Sequence, residues 1–592
     1  MKALRLKQRL REQPWMQPIR LANLKWRQRN GLFPDWRIIL GSDWQRFEAL
    51  RDAARANADA PRMLIATSVG VHTSSSIFDS YLATALTARG ARCEVALCDA
   101  VLPACLAADY TWYPNPDHFA RRGSRDDLCT ACLAPAERLF GAEGLGLSVL
   151  RYGALLSEAD RARARSIAEI TAPEAVAGLM LDGIAVGEAA LSGALRFFAR
   201  GELESGKAQA AILKRYLEAA CLSLFAMRNL LARERYDVVI GHHGIYVPQA
   251  LVAAAAHEAG VRFVAWNPAY RTGCFIFSHG ETYHRSMLSE PASAWENVHL
   301  DEAEQTRLMR YLSDRERGTQ DWIAFHPADA PAIENIVGAV GLDPAKPVVT
   351  LLTSVVWDAQ LHYRARAFKN QVEWVLKTIS HFASRDEVQL VIRVHPAEVT
   401  GSLPSRQPIA AEIEAAFPTL PKNVALVRPG EDISTYALAA ASDAVIIYAT
   451  KTGIELAARG IPVIVAGEAW LRGKGIGFDC DDAEAYERRL ASLPLRERLD
   501  PERTARAQSY AYHFFFRRMI PLPGLKRASV QGAPYEVVPQ GLQAFAPGAH
   551  ASIDCVCDGI LTGTPFVLDG PEKARPSGLD ENGSRKNSKS AA

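Results

Sequence analysis

The sequence predicts an α/β protein of two Rossmann-like domains whose parallel sheets face a common cleft, with a helical insertion in the first domain. Three observations carry this. The runs Leu390-Val391-Ile392-Arg393-Val394, Ala444-Val445-Ile446-Ile447-Tyr448 and Ile461-Pro462-Val463-Ile464-Val465-Ala466 are short, β-branched and almost continuously apolar. Helical segments separate them, and that alternation marks the strands of a parallel sheet buried on both faces. Each run then stops abruptly in polar residues: His395-Pro396-Ala397-Glu398, Ala449-Thr450-Lys451-Thr452-Gly453-Ile454-Glu455, and Gly467-Glu468-Ala469-Trp470-Leu471-Arg472-Gly473-Lys474-Gly475. Such sheets bind ligands beyond the carboxyl ends of their strands, so residues 389–479 read as a functional edge. Finally, 592 residues are too many for one ordinary core.

Composition narrows the class. The chain is 48% hydrophobic, 23% charged and carries a net charge of +2, as an ordinary soluble enzyme does. That balance leaves no basic footprint for nucleic acid. No run reaches the about eighteen apolar residues that a membrane-spanning helix needs. The N-terminus lacks an apolar signal core followed by a small-residue cleavage site. Ten cysteines at irregular positions suit a reducing cytoplasm better than a disulfide scaffold. A cytoplasmic protein is expected.

Taken in order, residues 1–60 form an arm whose first part is basic and aromatic, with Lys2, Arg5, Lys7, Arg9, Arg11, Trp15, Arg20, Lys25, Trp26, Arg27 and Arg29 against the single acid Glu12. It reads as a solvated arm that packs its tryptophans on the body of the protein. The competing reading is peripheral contact with an anionic membrane surface at the inner face of the cytoplasmic membrane. Residues 61–330 are read as the first domain. A strand at Arg62 to Ser68 runs into the turn Val69 to Ser76, a helix from about Ile77 to Arg89 and a strand at Cys93 to Leu97. A helix N-terminus after a small-residue turn offers free N–H groups to an anion. Without a GxGxxG motif, an acceptor-binding or purely structural turn containing His72 is the better reading.

Cys98, Cys105, Cys129 and Cys132 follow, in Cys-x6-Cys and Cys-x2-Cys spacing. Four thiolates would close a structural zinc site or hold an iron–sulfur cluster; equally, free cysteines serve as small core residues. Residues of about 157–234 are helical, carry no catalytic cluster and read as an insertion. The sheet resumes at Tyr236 to Gly244, with a helix over Ala250 to Ala259 and a strand at Arg262 to Trp266. Asn267 and the histidines His242, His243, His279 and His284 then stand at strand ends or in loops on the cleft side. A lone histidine is more often a hydrogen-bonded structural residue, but four so placed favour a functional role for one, with His243 the candidate. His72, Asn267 and His279 make up the expected acceptor side.

The helical stretch Asp301 to Arg317 and the loop to about Pro331 link the domains. The second domain, residues 331–500, opens with a strand at Pro347 to Ser354 that leads into Val355-Val356-Trp357-Asp358-Ala359-Gln360, and a helix from about Asn370 to Phe382 follows. Helices at about Asp482 to Leu490 and Pro501 to Arg518 finish the fold. Residues 501–570 are read as a C-terminal helix and extension. The tail 571–592 is rich in Ser, Lys, Asn and Gly and is expected to be disordered.

The chemistry gathers in the second domain. A helix starting at Thr450-Lys451-Thr452-Gly453 offers N–H groups, two hydroxyls and a cation to a diphosphate, and Gly453 would let the backbone come close. Glu455 suits either ribose hydroxyls or the helix dipole. Arg393, His395 and Glu398 would face the same space, with Arg472 and Lys474 closing a glycine-flanked loop over the phosphates. Stabilising a charged leaving group is usually the largest catalytic term. These cations are read as replacing a catalytic metal. His243 and Asp358 are the candidate general bases, although Asp358 suits a helix cap equally well.

The set Arg393-Val394-His395-Pro396-Ala397-Glu398, Tyr448-Ala449-Thr450-Lys451-Thr452-Gly453-Ile454-Glu455, Gly460-Ile461-Pro462-Val463-Ile464-Val465 and Arg472-Gly473-Lys474-Gly475 resembles the capsule polysaccharide biosynthesis family. That family includes bacterial Kdo transferases of capsule assembly and is similar to bacterial sialyltransferases. The resemblance is strongest over residues 345–480. It implies a GT-B glycosyltransferase with a nucleotide-sugar donor in the second domain and a glycan or lipid-linked acceptor in the first. It also implies that His395, Thr450 and Thr452 touch the donor phosphates, and that a capsule assembly complex is a partner. Ala-Thr-Lys-Thr stands where a plainer Ser-Ser or Ser-Thr pair is usual. A sugar-nucleotide 2-epimerase shares the two-domain plan, but its Ser-Gly-Gly and paired glutamates are absent. A non-catalytic component of a synthesis or export complex is the third reading.

Overall fold

The computed structural model describes residues 13–318, 321, 335–358, 366–401, 403–528 and 535–569. The start of the arm, the loop to Pro331, Gln360 and the tail 571–592 lie outside these.

The first sheet is built from β1 (Arg62–Ser68), β2 (Arg92–Leu97), β3 (Ser148–Arg151), β4 (Val238–His242), β5 (Arg262–Pro268) and β6 (Cys274–His279), closed by β13 (Ile520–Pro521). Its order is β13-β6-β5-β4-β1-β2-β3. The strands from β3 to β5 run parallel, whereas β6 and β13 pair antiparallel at one edge. The second sheet holds β7 (Val348–Leu352), β8 (Gln389–Arg393), β9 (Val424–Val427), β10 (Ala444–Ile447), β11 (Val463–Val465) and β12 (Phe478–Asp479) in the order β12-β11-β10-β7-β8-β9, all parallel. β7, β8, β10 and β11 are buried at every residue, as a sheet covered by helices on both faces requires. β14 (Leu525–Arg527) and β15 (Tyr535–Val537) form a separate hairpin ladder.

In each large sheet the strand order reverses beside the first strand, between β1 and β4 and between β7 and β10. A reversal sends the neighbouring connections to opposite faces and opens a crevice at the strands' carboxyl ends. Sequence patterning finds the central strands of both sheets but misses β3, β6, β9, β12, β13, the β14–β15 hairpin and the reversals. His279, read as standing at a strand end or in a loop, is the last residue of β6.

The C-terminal segment is built into the first domain. The helix Pro501–Tyr512 continues as a π-helical turn, His513–Arg518, and hands the chain back to β13. Tyr81 donates to the Pro523 carbonyl at 2.8 Å and Tyr535 to that of Ser74 at 2.5 Å, while Arg89 pairs with Asp554 at 2.5 Å. Tyr535, Phe545, Ile553 and Phe566 thereby share one core with Phe78, Phe275 and Phe277.

The arm docks differently from the sequence expectation. Its helix Met16–Arg29 contacts the body through Arg20, stacked 4.1 Å from the Trp112 ring, and Gln28, which donates to the Ala131 carbonyl at 2.8 Å. Trp15 and Trp26 face outward, 57% and 63% exposed. No helix among the described residues is long and apolar enough to cross a membrane.

Candidate functional site

The first domain contributes its wall through the turns after β1, β4 and β5. β1 ends at Ser68 in a left-handed conformation (φ 59°), and the following turn presents His72 at the start of the helix Thr73–Ala88. The His72 Nδ1 lies 2.7 Å from Ser75 Oγ and 3.1 Å from Ser74 Oγ. Across the strand reversal, β4 delivers His242, whose ring centroid is 4.9 Å from that of His72. Burial, and secondarily the Arg196 guanidinium, lower the His72 pKa to about 4. Burial likewise holds His242 well below the usual histidine range. Both rings are therefore neutral near pH 7.

His243 and Gly244 turn the chain sharply, with φ of 66° and 74°. The His243 ring then lies 5.4 Å from Tyr246 and 5.6 Å from His284. Asn267, at the end of β5, is hydrogen-bonded with Tyr283, as is Tyr270. Arg196 reaches the same place from the helix Val186–Phe198, over the Tyr246 ring at 5.6 Å. The helical insertion thus brings one arginine beside these residues, where the sequence showed no cluster. Arg196 sits mid-helix with no motif around it, so nothing local marks it out.

The second domain answers with the turns after β7, β8 and β10. Asp358 accepts a hydrogen bond from the Tyr246 hydroxyl at 3.1 Å, which spans the two domains. The residue keeps solvent contact, yet enclosure of its carboxyl raises the pKa, offset in part by Tyr246 and Arg196. After β8, the His395 N–H donates to Thr353 Oγ1 at 3.0 Å, and its Nδ1 accepts the Ala397 N–H at 3.0 Å. In the neutral tautomer, a ring that accepts at Nδ1 carries its proton on Nε2. After β10, Thr450 and Thr452 place their hydroxyls 3.2 Å apart. Lys451 reaches back over the Tyr270 ring at 4.5 Å, a second link between the domains.

Other candidates are held elsewhere. Glu455 is fully buried and bound by Arg315 (3.2 Å), Lys451 (3.0 Å) and the Tyr436 hydroxyl (2.6 Å), with no oxygen left for a ribose. Burial alone would raise its pKa, but Arg315 and Lys451 outweigh it and bring it to about 2. A Cβ on Gly453 would come within 2.6 Å of Ile447 Cδ1 and 2.9 Å of Leu471 Cδ2, so that glycine serves packing against the sheet. The Arg472 guanidinium is consumed by the carbonyls of Gly467, Val465 and Cys480 and by Asp481. Lys474 is buried, donating to the Glu290 carbonyl at 3.2 Å and lying over the Tyr510 ring. His395 and Thr452 therefore share the carboxyl edge of the sheet, and Lys474 is spent on packing behind it.

Arg393 is buried against the Arg428 carbonyl and Thr435, and burial lowers its pKa to about 10. Glu398 accepts the Ile409 N–H at 3.3 Å, and burial raises its pKa to about 8. His279 is tied to the C-terminal segment, with Nε2 2.9 Å from the Thr564 carbonyl and its ring stacked on Phe566 at 4.4 Å. Cys98, Cys105, Cys129 and Cys132 are free thiols. Among the described residues no group of three or more His, Cys, Asp or Glu side chains is placed to hold a metal ion.

Comparison with solved structures gives a Thermosulfurimonas dismutans KpsC β-Kdo 2,4-transferase, at 14% identity and a TM-score of 0.32, covering 48% of this chain and 82% of that one. The 2,7-transferase of the same KpsC follows at 13% identity and a TM-score of 0.27, covering 46% and 75%. A UDP-GlcNAc 2-epimerase from Neisseria meningitidis bound to UDP-GlcNAc reaches 11% identity and a TM-score of 0.23, covering 76% and 95%. Likeness at this level does not separate transferase from epimerase. No curated protein matches the chain. Two facing Rossmann-like sheets nevertheless make the architecture GT-B-like, and over residues 331–510, which contain the whole second sheet, the chain matches the capsule polysaccharide biosynthesis protein family.

Proposed function

We propose that this protein is a glycosyltransferase of capsular or surface polysaccharide biosynthesis. A nucleotide sugar would bind the second domain and a glycan or lipid-linked acceptor the first. The meeting of the two strand reversals carries this reading: Asp358 hydrogen-bonds Tyr246 and Lys451 covers Tyr270, so groups from both sheets face one crevice. The family match over the second sheet agrees with it.

In this reading the acceptor hydroxyl gives its proton to Asp358 or His243 as its oxygen bonds the anomeric carbon. The bond from that carbon to the phosphate oxygen breaks, and the electron pair leaves with the nucleotide. His395 Nε2–H, the hydroxyls of Thr450 and Thr452, and Lys451 would stabilise the charge that develops there, without a metal ion. An epimerase is disfavoured because Glu455 is enclosed in ion pairs. The exposed Ile19 and Trp26, on a helix that also carries Arg27 and Arg29, and Trp15 at its N-cap suit a resting place on an anionic membrane surface.

The test is a thermal-shift screen of the full chain against CMP-, UDP- and GDP-sugars, followed by transfer and hydrolysis assays on any sugar nucleotide that stabilises it. One nucleotide class should raise the Tm, and His395→Ala should abolish that rise while leaving the unliganded Tm nearly unchanged. Binding without transfer or hydrolysis would identify a non-catalytic component instead. Interconversion of epimers would identify an epimerase.

A further inference from the structure

Tyr246 is placed by the first domain with little freedom. It follows the left-handed pair His243 and Gly244 in the turn between β4 and the helix Gln249–Glu258, and its carbonyl accepts the Ala250 N–H at 3.0 Å. The residue is 5% exposed and packs with Val69, Leu106, Cys132 and Ile245. The His243 ring lies 5.4 Å away. The Arg196 guanidinium, itself donating to the Leu106 carbonyl at 2.5 Å, covers the Tyr246 ring at 5.6 Å. A tyrosine has only two side-chain torsions, and neighbours on its ring restrict both, so the hydroxyl is aimed in one direction.

That direction is across the crevice. The hydroxyl donates to Asp358 Oδ1 at 3.1 Å, between residues 112 positions apart, and among the described residues no other hydrogen bond reaches the Asp358 carboxyl. The bond is not needed to hold the domains together. The end of the helix Val186–Phe198 and the residues after it are tied to the second domain elsewhere. There the Gly201 and Glu202 N–H groups donate to Gln407 Oε1 at 3.0 and 3.2 Å, and the Arg406 N–H donates to the Ala199 carbonyl at 2.9 Å. Tyr110 adds a bond to the Pro404 carbonyl at 3.0 Å. The contact of Tyr246 with Asp358 is therefore spare for the site.

A carboxylate at the end of a short side chain can rotate and offers either oxygen. Held by one, Asp358 keeps Oδ2 open to accept a proton. A donated O–H also favours the charged carboxylate, as does Arg196, against the enclosure that opposes it. The other titratable groups around the pair are His72, His243, His284 and Tyr283. We propose that Tyr246 is a positioning residue whose hydroxyl fixes the Asp358 carboxyl at the crevice, so that a group of the second domain is aimed at an acceptor bound by the first. The chemistry of that step rests on the transferase reading. Tyr246 keeps its own proton, and the acceptor proton passes to Asp358 Oδ2 as the acceptor oxygen bonds the anomeric carbon and the nucleotide leaves with its electron pair.

The experiment compares the full chain with Tyr246→Phe, which removes one oxygen and keeps the ring, with Asp358→Ala, and with the double variant. Thermal unfolding without ligand reads the bond itself: the double variant should lose less Tm than the two single losses combined. Losses that simply add overturn the proposal. The second readout is the pH profile of kcat with the CMP-, UDP- or GDP-sugar that the thermal-shift screen selects. Tyr246→Phe should move the acid limb upward by about one pH unit, with kcat down about tenfold below that limb and KM nearly unchanged. A fall that is equal at every pH, or a limb that stays in place, overturns it as well. Wild-type protein that turns over none of these sugars, while the Tm losses remain non-additive, would retire the transferase reading and keep Tyr246 as the residue that fixes Asp358.

Discussion

His243 sits at φ 66°, where a side chain other than glycine is uncommon and Asn is among the better tolerated. A replacement can therefore remove the imidazole and keep the turn. His243→Asn should hold the Tm within a few degrees of wild type, and if the imidazole is the base it should lower kcat by roughly 10²–10⁴-fold with KM little changed. Asp358→Asn makes the same test of the rival base, so comparing the two kcat values assigns the role. Glu398 offers a pH prediction. Its folded pKa of about 8 lies above its ordinary value of 4.5, so between those limits the folded state binds the proton that the unfolded state has released. That contribution is full below about pH 4.5 and is lost as pH rises through 8. Glu398→Gln should raise the Tm at pH 8 and change it little at pH 4.5, as a differential scan at both values would read. The place of His395 at the edge of the second sheet was legible because the apolar run of β8 stops abruptly just before it. Glu455 and Arg472 were misjudged because charge alone does not tell a ligand contact from a buried ion pair.

At the scale of elements, the helix Thr452–Ala457 matters through what it ties together. Its Glu455 binds Arg315 of the helix Glu302–Glu316 and Lys451 at its own start. Breaking such a buried set leaves its cations unpaired, typically at about 3–5 kcal/mol. Glu455→Gln should accordingly lower stability by that order in urea unfolding at pH 7. The wild-type contribution is present above about pH 4.5 and disappears as pH falls through 2, so the gap between variant and wild type should narrow on acidification. Gly453→Ala tests whether that glycine serves packing or phosphate approach. With Ile447 and Leu471 in the way, overpacking should cost about 1–3 kcal/mol even without ligand. An unchanged Tm together with weakened nucleotide-sugar binding would restore the phosphate role. Lys474→Ala should also act first on stability, since its ammonium is held by Glu290 and Tyr510.

Across the whole molecule, the C-terminal segment returns from the second domain to complete the first. Removing residues from 519 onward would strip β13 from β6 and uncover Phe78, Phe275 and Phe277. Such a truncation should be insoluble or melt well below the full chain, which soluble yield and a thermal scan would check. The sequence by itself determined the α/β class, most strands of both sheets, the helical insertion and the polar residues at the strands' carboxyl ends. It could do so because apolar runs of strand length and their abrupt polar ends are local patterns. Only the tertiary structure decided the strand reversals, the return of the C-terminal segment and the arrival of Arg196 beside His72 and Asp358. Those depend on which segments become neighbours, and pairing between residues hundreds of positions apart leaves no periodic trace in either partner.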